Sequence, residues 1–468
     1  MNSALAASIA SQWDAEIVPQ LSEYIRIPAK SPHFDPAWEA NGHIDRAIHL
    51  AHAWVKAQPI RGMAVEIIRL PGRTPVLWFE IGGAGARTVL LYGHLDKQPE
   101  MVGWAAASGP WDPRYEDGKL FGRGGADDGY AVFASIAAIA ALQAQDIPHA
   151  RCVGIIETCE ESGSYDLPAY LEALAPRMGD VDFVIGLDSG CGDYERLWTT
   201  TSLRGLAAGT LHVNVLTEGV HSGDASGVVP SSFRIARALL DRLEDSATGK
   251  VRLPELHAAI PQERVVQARQ AASIQGDLVI NKYPFAGATS PMVSDHAEAL
   301  LNRTWRPALS MIGADGLPAV ANAGNVLRPG TSLKLSMRLP PTIAGDVAAQ
   351  RMKEVLERDP PHHASVRFEA EQAATGWNAP PSSAWLTGAI DEASRAFFGT
   401  AGAAMGEGGT IPFMAMLGKH FPHAQFLIAG VLGPHSNAHG PNEFLHVPYA
   451  KKLTACVAGI IAAHARHV

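Results

Sequence analysis

"TVLLYGHLDKQPE", residues 88–100, closes an apolar run on His94, with Asp96 two positions further along. Side chains two apart on a strand share a face, so whatever His94 touches, Asp96 can reach the back of its ring. That arrangement suits a metal ligand and its orienting carboxylate. It equally suits a strand end with two polar residues facing water, and the stretch alone leaves both readings open.

Outward from it, residues 62–190 alternate strand-like and helix-like runs: "MAVEIIRL", "PVLWFEI", the helical "YAVFASIAAIAALQAQ", then "CVGIIET" and "VDFVIGLD". Strands interleaved with helices predict a layered α/β domain with a mostly parallel sheet. In such sheets the chemistry gathers at the carboxyl ends of strands, where His94, Glu160, Glu161 and Asp188 all fall. "GGAGAR" (82–87) imitates a nucleotide loop, but strands flank it and no helix follows, so it predicts a hairpin turn.

From "TTTSLRGLAAGTLHVNV" the character changes to strand, helix at 231–243, a long irregular middle, strand "TSLKLSMRL", helix at 343–357 and strand "ASVRFEA". Two strand and helix pairs predict a split βαβ sandwich of ferredoxin-like type. The Pro-rich "NAPPSS" closes it, after which the first style resumes. The expected organisation is therefore a discontinuous α/β catalytic domain, residues 1–202 and 378–468, interrupted by an inserted α+β domain, 203–377.

Bulk properties narrow the function classes. A chain of 468 residues is too long for one ordinary core. A formal charge of -9 argues against nucleic acid and anionic membrane as partners, which leaves small molecules and proteins. No uninterrupted apolar stretch has the length of a membrane helix. The N-terminal "MNSALAASIASQWDAEIVPQL" lacks a basic opening and an apolar segment, so the expectation is a mature cytoplasmic protein. The cysteines, Cys152, Cys159, Cys191 and Cys456, lack paired zinc-type spacing and are expected to be buried reduced thiols.

Five short motifs carry the chemistry. In "GRGGADDGY" a glycine-rich turn feeds a helix, so Asp127 and Asp128 can cap it; that reading is kept for Asp128. Asp127 has a second possibility, bridging two cations that would otherwise repel each other. In "IIETCEESGS" Glu160 and Glu161 are either a surface acidic pair or a ligand beside a general base, since adjacent buried carboxylates repel unless a cation or proton intervenes. "LDSG" offers Asp188, and "GPHSNAHGPNEF" offers His435 and His439. Together His94, Asp127, Glu161, Asp188 and His439 are enough ligands for two cations, each with a histidine, a terminal carboxylate and a shared bridge.

In order and spacing, "GHLD", "GRGGADD", "EESGS", "LDSG" and "AHGPNE" resemble the aminoacylase, carboxypeptidase G and dipeptidase family of di-metal peptidases, especially its cytosolic nonspecific dipeptidase and carnosinase branch. The resemblance implies that His94, Asp127 and Asp188 hold one metal and Asp127, Glu161 and His439 the other. It makes Glu160 the general base toward a water bridging the two ions, and Asp96 the clamp behind His94. "GVHSGDASGVVP" resembles the family's lid segment, which places His221 as a catalytic residue reaching a neighbouring subunit of a homodimer. "NVLRP", "SMRLPP" and "EGGTIP" similarly place Asn325, Arg338 and Thr410 in the substrate-binding set. Arg338 suits a peptide's terminal carboxylate, as a fork of N–H donors, or is a strand-edge arginine in water.

The implied activity is hydrolysis of short peptides, dipeptides first, with a deacylase or carbamoyl-amide hydrolase of N-acylated amino acids as the alternative. The donor set suits zinc, and manganese or cobalt fits the same atoms. Departures from the family pattern concern the substrate: "DDGY" replaces "DDKG", Gly406 stands where an arginine precedes "EGG", and "EQAATGWN" lacks a substrate histidine.

Overall fold

A computed structural model describes residues 2–106 and 108–467. The chain divides into two compact units, one of Met1–Thr201, Ala379–Met405 and Met416–Val468, the other of Ser202–Asn378 and Gly406–Ala415. The short stretch Gly406–Ala415 thus falls outside the segment expected to form the insertion. Its place follows from hydrogen bonds: the Thr410 hydroxyl donates to the Arg204 carbonyl at 2.6 Å, and Arg204 Nε donates to the Gly408 carbonyl at 3.2 Å.

The first unit is built on β1 (Met63–Ile68), β2 (Val76–Ile81), β3 (Ala84–His94), β4 (Ala150–Glu157) and β5 (Asp180–Gly186), joined late in the chain by Gln425–Ile428. They form one six-stranded sheet in the order β1, β2, β4, β3, β5, Gln425–Ile428. The four strands from β4 onward pair in parallel, and β1 and β2 run antiparallel to their neighbours. The second half of β3 is buried without alternation, as expected for a parallel strand covered on both faces. Helix α1 (Tyr130–Ala144) is apolar all round and packs inside the unit. Gly125–Ala144 is, among the described residues, the one helix long and apolar enough to cross a membrane, and 94% of its most apolar 18-residue stretch is buried as core.

The expected hairpin at "GGAGAR" is corrected: β2 and β3 are not partners, because β4 lies between them. The chain instead crosses the start of β4, where Ala84 N–H donates to the His149 carbonyl at 2.8 Å. A Cβ on Gly83 would stand 2.2 Å from the Ala150 carbonyl carbon, so the crossing requires glycine. All four cysteines are buried thiols.

The second unit contains β6 (Gly205–Asn214), α2 (Ser232–Leu240), β7 (Ala308–Asp315), β8 (Gly330–Leu339), α3 (Gly345–Glu357) and β9 (Ser365–Ala374). The strands pair antiparallel in the order β7, β8, β6, β9, which is the split βαβ, ferredoxin-like arrangement. Leu211, Leu239, Leu335, Met337, Met352 and Phe368 belong to its core. Leu333, Leu335, Met337 and Leu339 alternate along β8 on the core face, which leaves Arg338 on the opposite face.

Candidate di-metal centre

The carboxyl ends of the parallel strands deliver most of the centre. His94 ends β3, Glu160 and Glu161 lie in the turn after β4, and Asp188 follows β5. Asp127 comes from the glycine-rich turn before α1 and His439 from a loop near the C-terminus. This is the expected location for a site in a sheet of this kind, because adjacent strands end side by side while their loops diverge.

Asp127 stands at the middle. Its Oδ1 is 3.4 Å from His94 Nε2, and its Oδ2 is 2.9 Å from His439 Nε2. Asp188 Oδ2 lies 3.7 Å from His94 Nε2, and Glu161 Oε2 lies 3.4 Å from His439 Nε2. Two donor sets result, His94 with Asp127 and Asp188, and Asp127 with Glu161 and His439, the donor atoms of each lying within 4.8 Å of one another. His94 Nε2 is buried and makes no hydrogen bond. Burial lowers the pKa of this imidazole, but Asp127, Asp96 and Asp188 outweigh it and raise it well above its ordinary range, so positive charge is favoured between the ring and the carboxylates and these residues fit a pair of metal ions.

Glu160 belongs to neither set; its Oε2 is 3.9 Å from His94 Nε2. The carboxylate oxygens of Asp96 accept the backbone N–H groups of Glu160 (3.0 Å) and Glu161 (2.9 Å). His94 Nδ1 lies 3.1 Å from the Asp96 backbone carbonyl and 3.5 Å from its carboxylate. Asp96 therefore ties the turn carrying both glutamates to the end of β3, and the main-chain oxygen is nearer the imidazole than the side chain is.

Electrostatics make the same point. Burial raises Asp127, but the imidazoles of His439 and His94 outweigh it and hold its carboxyl far below the usual carboxylate range. Burial and then the charge of Asp127 push Glu161 up to about 8; burial chiefly pushes Asp188 to about 7. Glu160 is raised well above the carboxylate range by burial, Asp188 and Glu161. So many carboxylates cannot ionise together at neutral pH without positive charge among them.

The structure corrects one assignment. Asp128 does not cap α1, whose N-terminus has no side-chain cap. Its carboxyl is fully buried, with Oδ2 3.4 Å from the His94 backbone nitrogen and Oδ1 without a hydrogen bond. Burial and the charge of Asp188 raise it well above the carboxylate range.

Three supporting residues went unmarked although two lie inside the quoted motifs. Arg123 and Glu443 form a buried pair at 2.5 Å; Arg123 also donates to the Gly440 carbonyl at 2.9 Å, and Glu443 accepts Gly124 N–H at 3.0 Å. This pair joins the turn leading to Asp127 to the loop carrying His439. Gln98 donates to Glu161 Oε2 at 2.6 Å. A charged residue inside a glycine-rich turn before an apolar helix was the available signal for Arg123.

The remaining candidates lie in the second unit as two pairs. Exposed His221 pairs with Val326 in a short antiparallel ladder, and Ser222 N–H donates to the Asn325 carbonyl at 2.9 Å. Arg338 Nη1 donates to Thr410 Oγ1 at 3.2 Å. At Gly406 a Cβ would stand 2.4 Å from Ser202 Oγ and 3.0 Å from Thr304 Cβ, so any side chain there would have to displace them.

The fold and this donor arrangement define a metal-dependent peptidase. Residues 90–463 match peptidase family M20/M25/M40, and the chain belongs to that family. It is 26% identical over 453 residues to the cysteinylglycine-S-conjugate dipeptidase of Corynebacterium striatum, covering 93% of this chain and 94% of that one. It is 28% identical over 382 residues to the beta-Ala-His dipeptidase of Homo sapiens, 79% of this chain and 73% of that one. Among solved structures it superposes on the di-peptidase Dug1p of Saccharomyces cerevisiae with a TM-score of 0.79 at 20% identity, covering 100% and 99% of the two chains. Human carnosine dipeptidase 1 gives 0.78 at 22% identity, covering 99% of each.

If Asp127 bridges two sites, Asp127→Ala binds neither ion tightly, whereas Glu160→Gln keeps both and loses turnover. Elemental analysis of the purified variants checks this; two tight ions in Asp127→Ala would show that another residue bridges.

Proposed function

We propose that this chain hydrolyses dipeptides, with His94, Asp127 and Asp188 holding one divalent ion and Asp127, Glu161 and His439 the other. The observation that carries the reading is Asp127, which turns one oxygen toward each donor set. Zinc suits the mixed nitrogen and oxygen donors, and manganese or cobalt fits them too. When bound, such ions polarise a carbonyl and acidify water.

Glu160 does the proton work. Outside both donor sets, it accepts the proton of the attacking water on a carboxylate oxygen and returns it to the leaving amine nitrogen. Asp96 fixes the backbone from which Glu160 projects, through the two N–H bonds already described. Arg338 is assigned the substrate's terminal carboxylate, with Thr410 orienting the guanidinium and Asn325 contributing to the same substrate set. Four cysteines held as buried thiols support a cytoplasmic location.

Under this reading Arg338→Ala lowers kcat/KM for dipeptides far more than for their C-terminal amides. The expected differential is about 2–5 kcal/mol, the scale for removing one partner of a desolvated charge pair. Equal losses on both substrates would remove Arg338 from that role. Running N-acetyl and N-carbamoyl amino acids alongside decides against the deacylase alternative if the dipeptides are the better substrates.

The homodimer belongs to the same proposal. β7 is an edge strand, and near it Met311, Ile312 and Val320 expose 59%, 60% and 93% of their surface, which supports a partner there. His221 is assigned to donate a hydrogen bond to the carbonyl oxygen that becomes negative during attack, in the partner's site. Glu160→Ala and His221→Ala chains are then each nearly inactive, and random mixing restores about a quarter of wild-type activity, because half the dimers have one complete site. A confirmed heterodimer as inactive as its parents would place His221 in its own chain's site or in none.

A further inference from the structure

Three arginines of the second unit surround one turn, Glu407 to Thr410, and among the described residues only one carboxylate meets them. Arg338 donates to Thr410 Oγ1 and, among the described residues, has no carboxylate partner. Arg204 spends its donors on backbone carbonyls, those of Gly408 at 3.2 Å and of Asn302 and Arg306 at 3.5 Å. Arg303 has Glu407 as its nearest carboxylate, at 4.0 Å and beyond hydrogen-bonding distance, and its buried Nε makes no hydrogen bond. A Cβ on Gly408 would stand 3.1 Å from Arg303 Cγ and 3.4 Å from Arg204 Nη2, so these two side chains flank the same backbone position. Neighbouring Arg306 differs, being satisfied by Glu298 at 2.8 Å and Asn302 at 2.6 Å.

Among the described residues, three guanidiniums and the Lys282 amine, which also feels Arg303 and Glu407, share one carboxylate, so at least two positive charges around this turn are unmet. Burial, then the charges of Arg338 and Arg303, bring the Arg204 guanidinium down to about 10, as expected where like charges crowd together. On the reading above, on which this inference rests, the substrate's terminal carboxylate answers Arg338 alone. A second anion is needed for the rest, and the turn that carries Arg338's partner Thr410 puts it next to the first. The group that lies next to a peptide's terminal carboxylate is the side chain of the same residue.

We propose that Arg303, backed by Arg204, recognises a second carboxylate on the substrate, so that the preferred dipeptides end in an acidic residue. A guanidinium fork matches a carboxylate and gains little from the isosteric amide, so aspartate is separated from asparagine and glutamate from glutamine. Glu407 competes for the same donors and weakens the preference.

The test compares kcat/KM of the metal-loaded enzyme for Ala-Asp against Ala-Asn and for Ala-Glu against Ala-Gln at low salt. The wild type is expected to favour the acid by about tenfold or more, a difference of about 1.4 kcal/mol. Arg303→Gln brings the ratio toward one, and Glu407→Gln raises it; opposite shifts in one ratio do not arise from general damage to the fold. Free aspartate inhibiting the wild type at least about tenfold more strongly than asparagine supports the same conclusion without any variant. A wild-type ratio near one, or equal losses on acid and amide in Arg303→Gln, overturns the proposal while Ala-Asn and Ala-Leu turnover leaves the dipeptidase reading intact. Hydrolysis of N-acylated amino acids and of no dipeptide overturns both.

Discussion

The carboxylate of Asp127, held between the imidazoles of His94 and His439, is the interaction on which the rest of the centre depends. One oxygen faces each ring, so the end of β3 and the loop bearing His439 are spaced by a single side chain. Around it Asp188, Glu160 and Glu161 are brought out of water at a cost that burial alone would make prohibitive. Two divalent cations held there would supply four positive charges against the four negative ones of ionised Asp127, Glu160, Glu161 and Asp188.

That arrangement requires its loops to be held from behind. Asp96 ties the Glu160–Glu161 turn to the end of β3, and the Arg123–Glu443 pair ties the turn before Asp127 to the His439 loop. The latter loop needs such support: His435, Asn437, His439 and Asn442 all adopt positive φ, a region unfavourable to residues with a side chain. Lys97 adds a third tie, its buried Nζ donating to the carbonyls of Tyr24 and Ile27, both at 2.8 Å, at the end of an N-terminal helix.

Much of this was legible in the sequence because the relevant residues sit in short motifs at strand ends, where spacing fixes direction. His94, Glu160, Glu161 and Asp188 each follow a recognisable apolar run, and Asp127 precedes a strongly apolar helix. The strand and helix order of the second unit, read from "TSLKLSMRL" and its neighbours, likewise announces the ferredoxin-like sheet. Long-range partnership was less legible. "GGAGAR" has the composition of a hairpin, and only the insertion of β4 between its flanking strands makes it a crossover. Asp128 has the local signature of a cap, but the burial of the turn beneath β3 decides its role. Arg123 and Glu443 are far apart in the chain, and nothing local in either segment names the other.

Anomalous diffraction from crystals grown with manganese or zinc tests the sharing of Asp127 most directly. Sharing predicts two peaks, one on each side of its carboxylate, the first among His94, Asp127 and Asp188 and the second among Asp127, Glu161 and His439. A single peak, or two peaks neither of which is coordinated by Asp127, would contradict it.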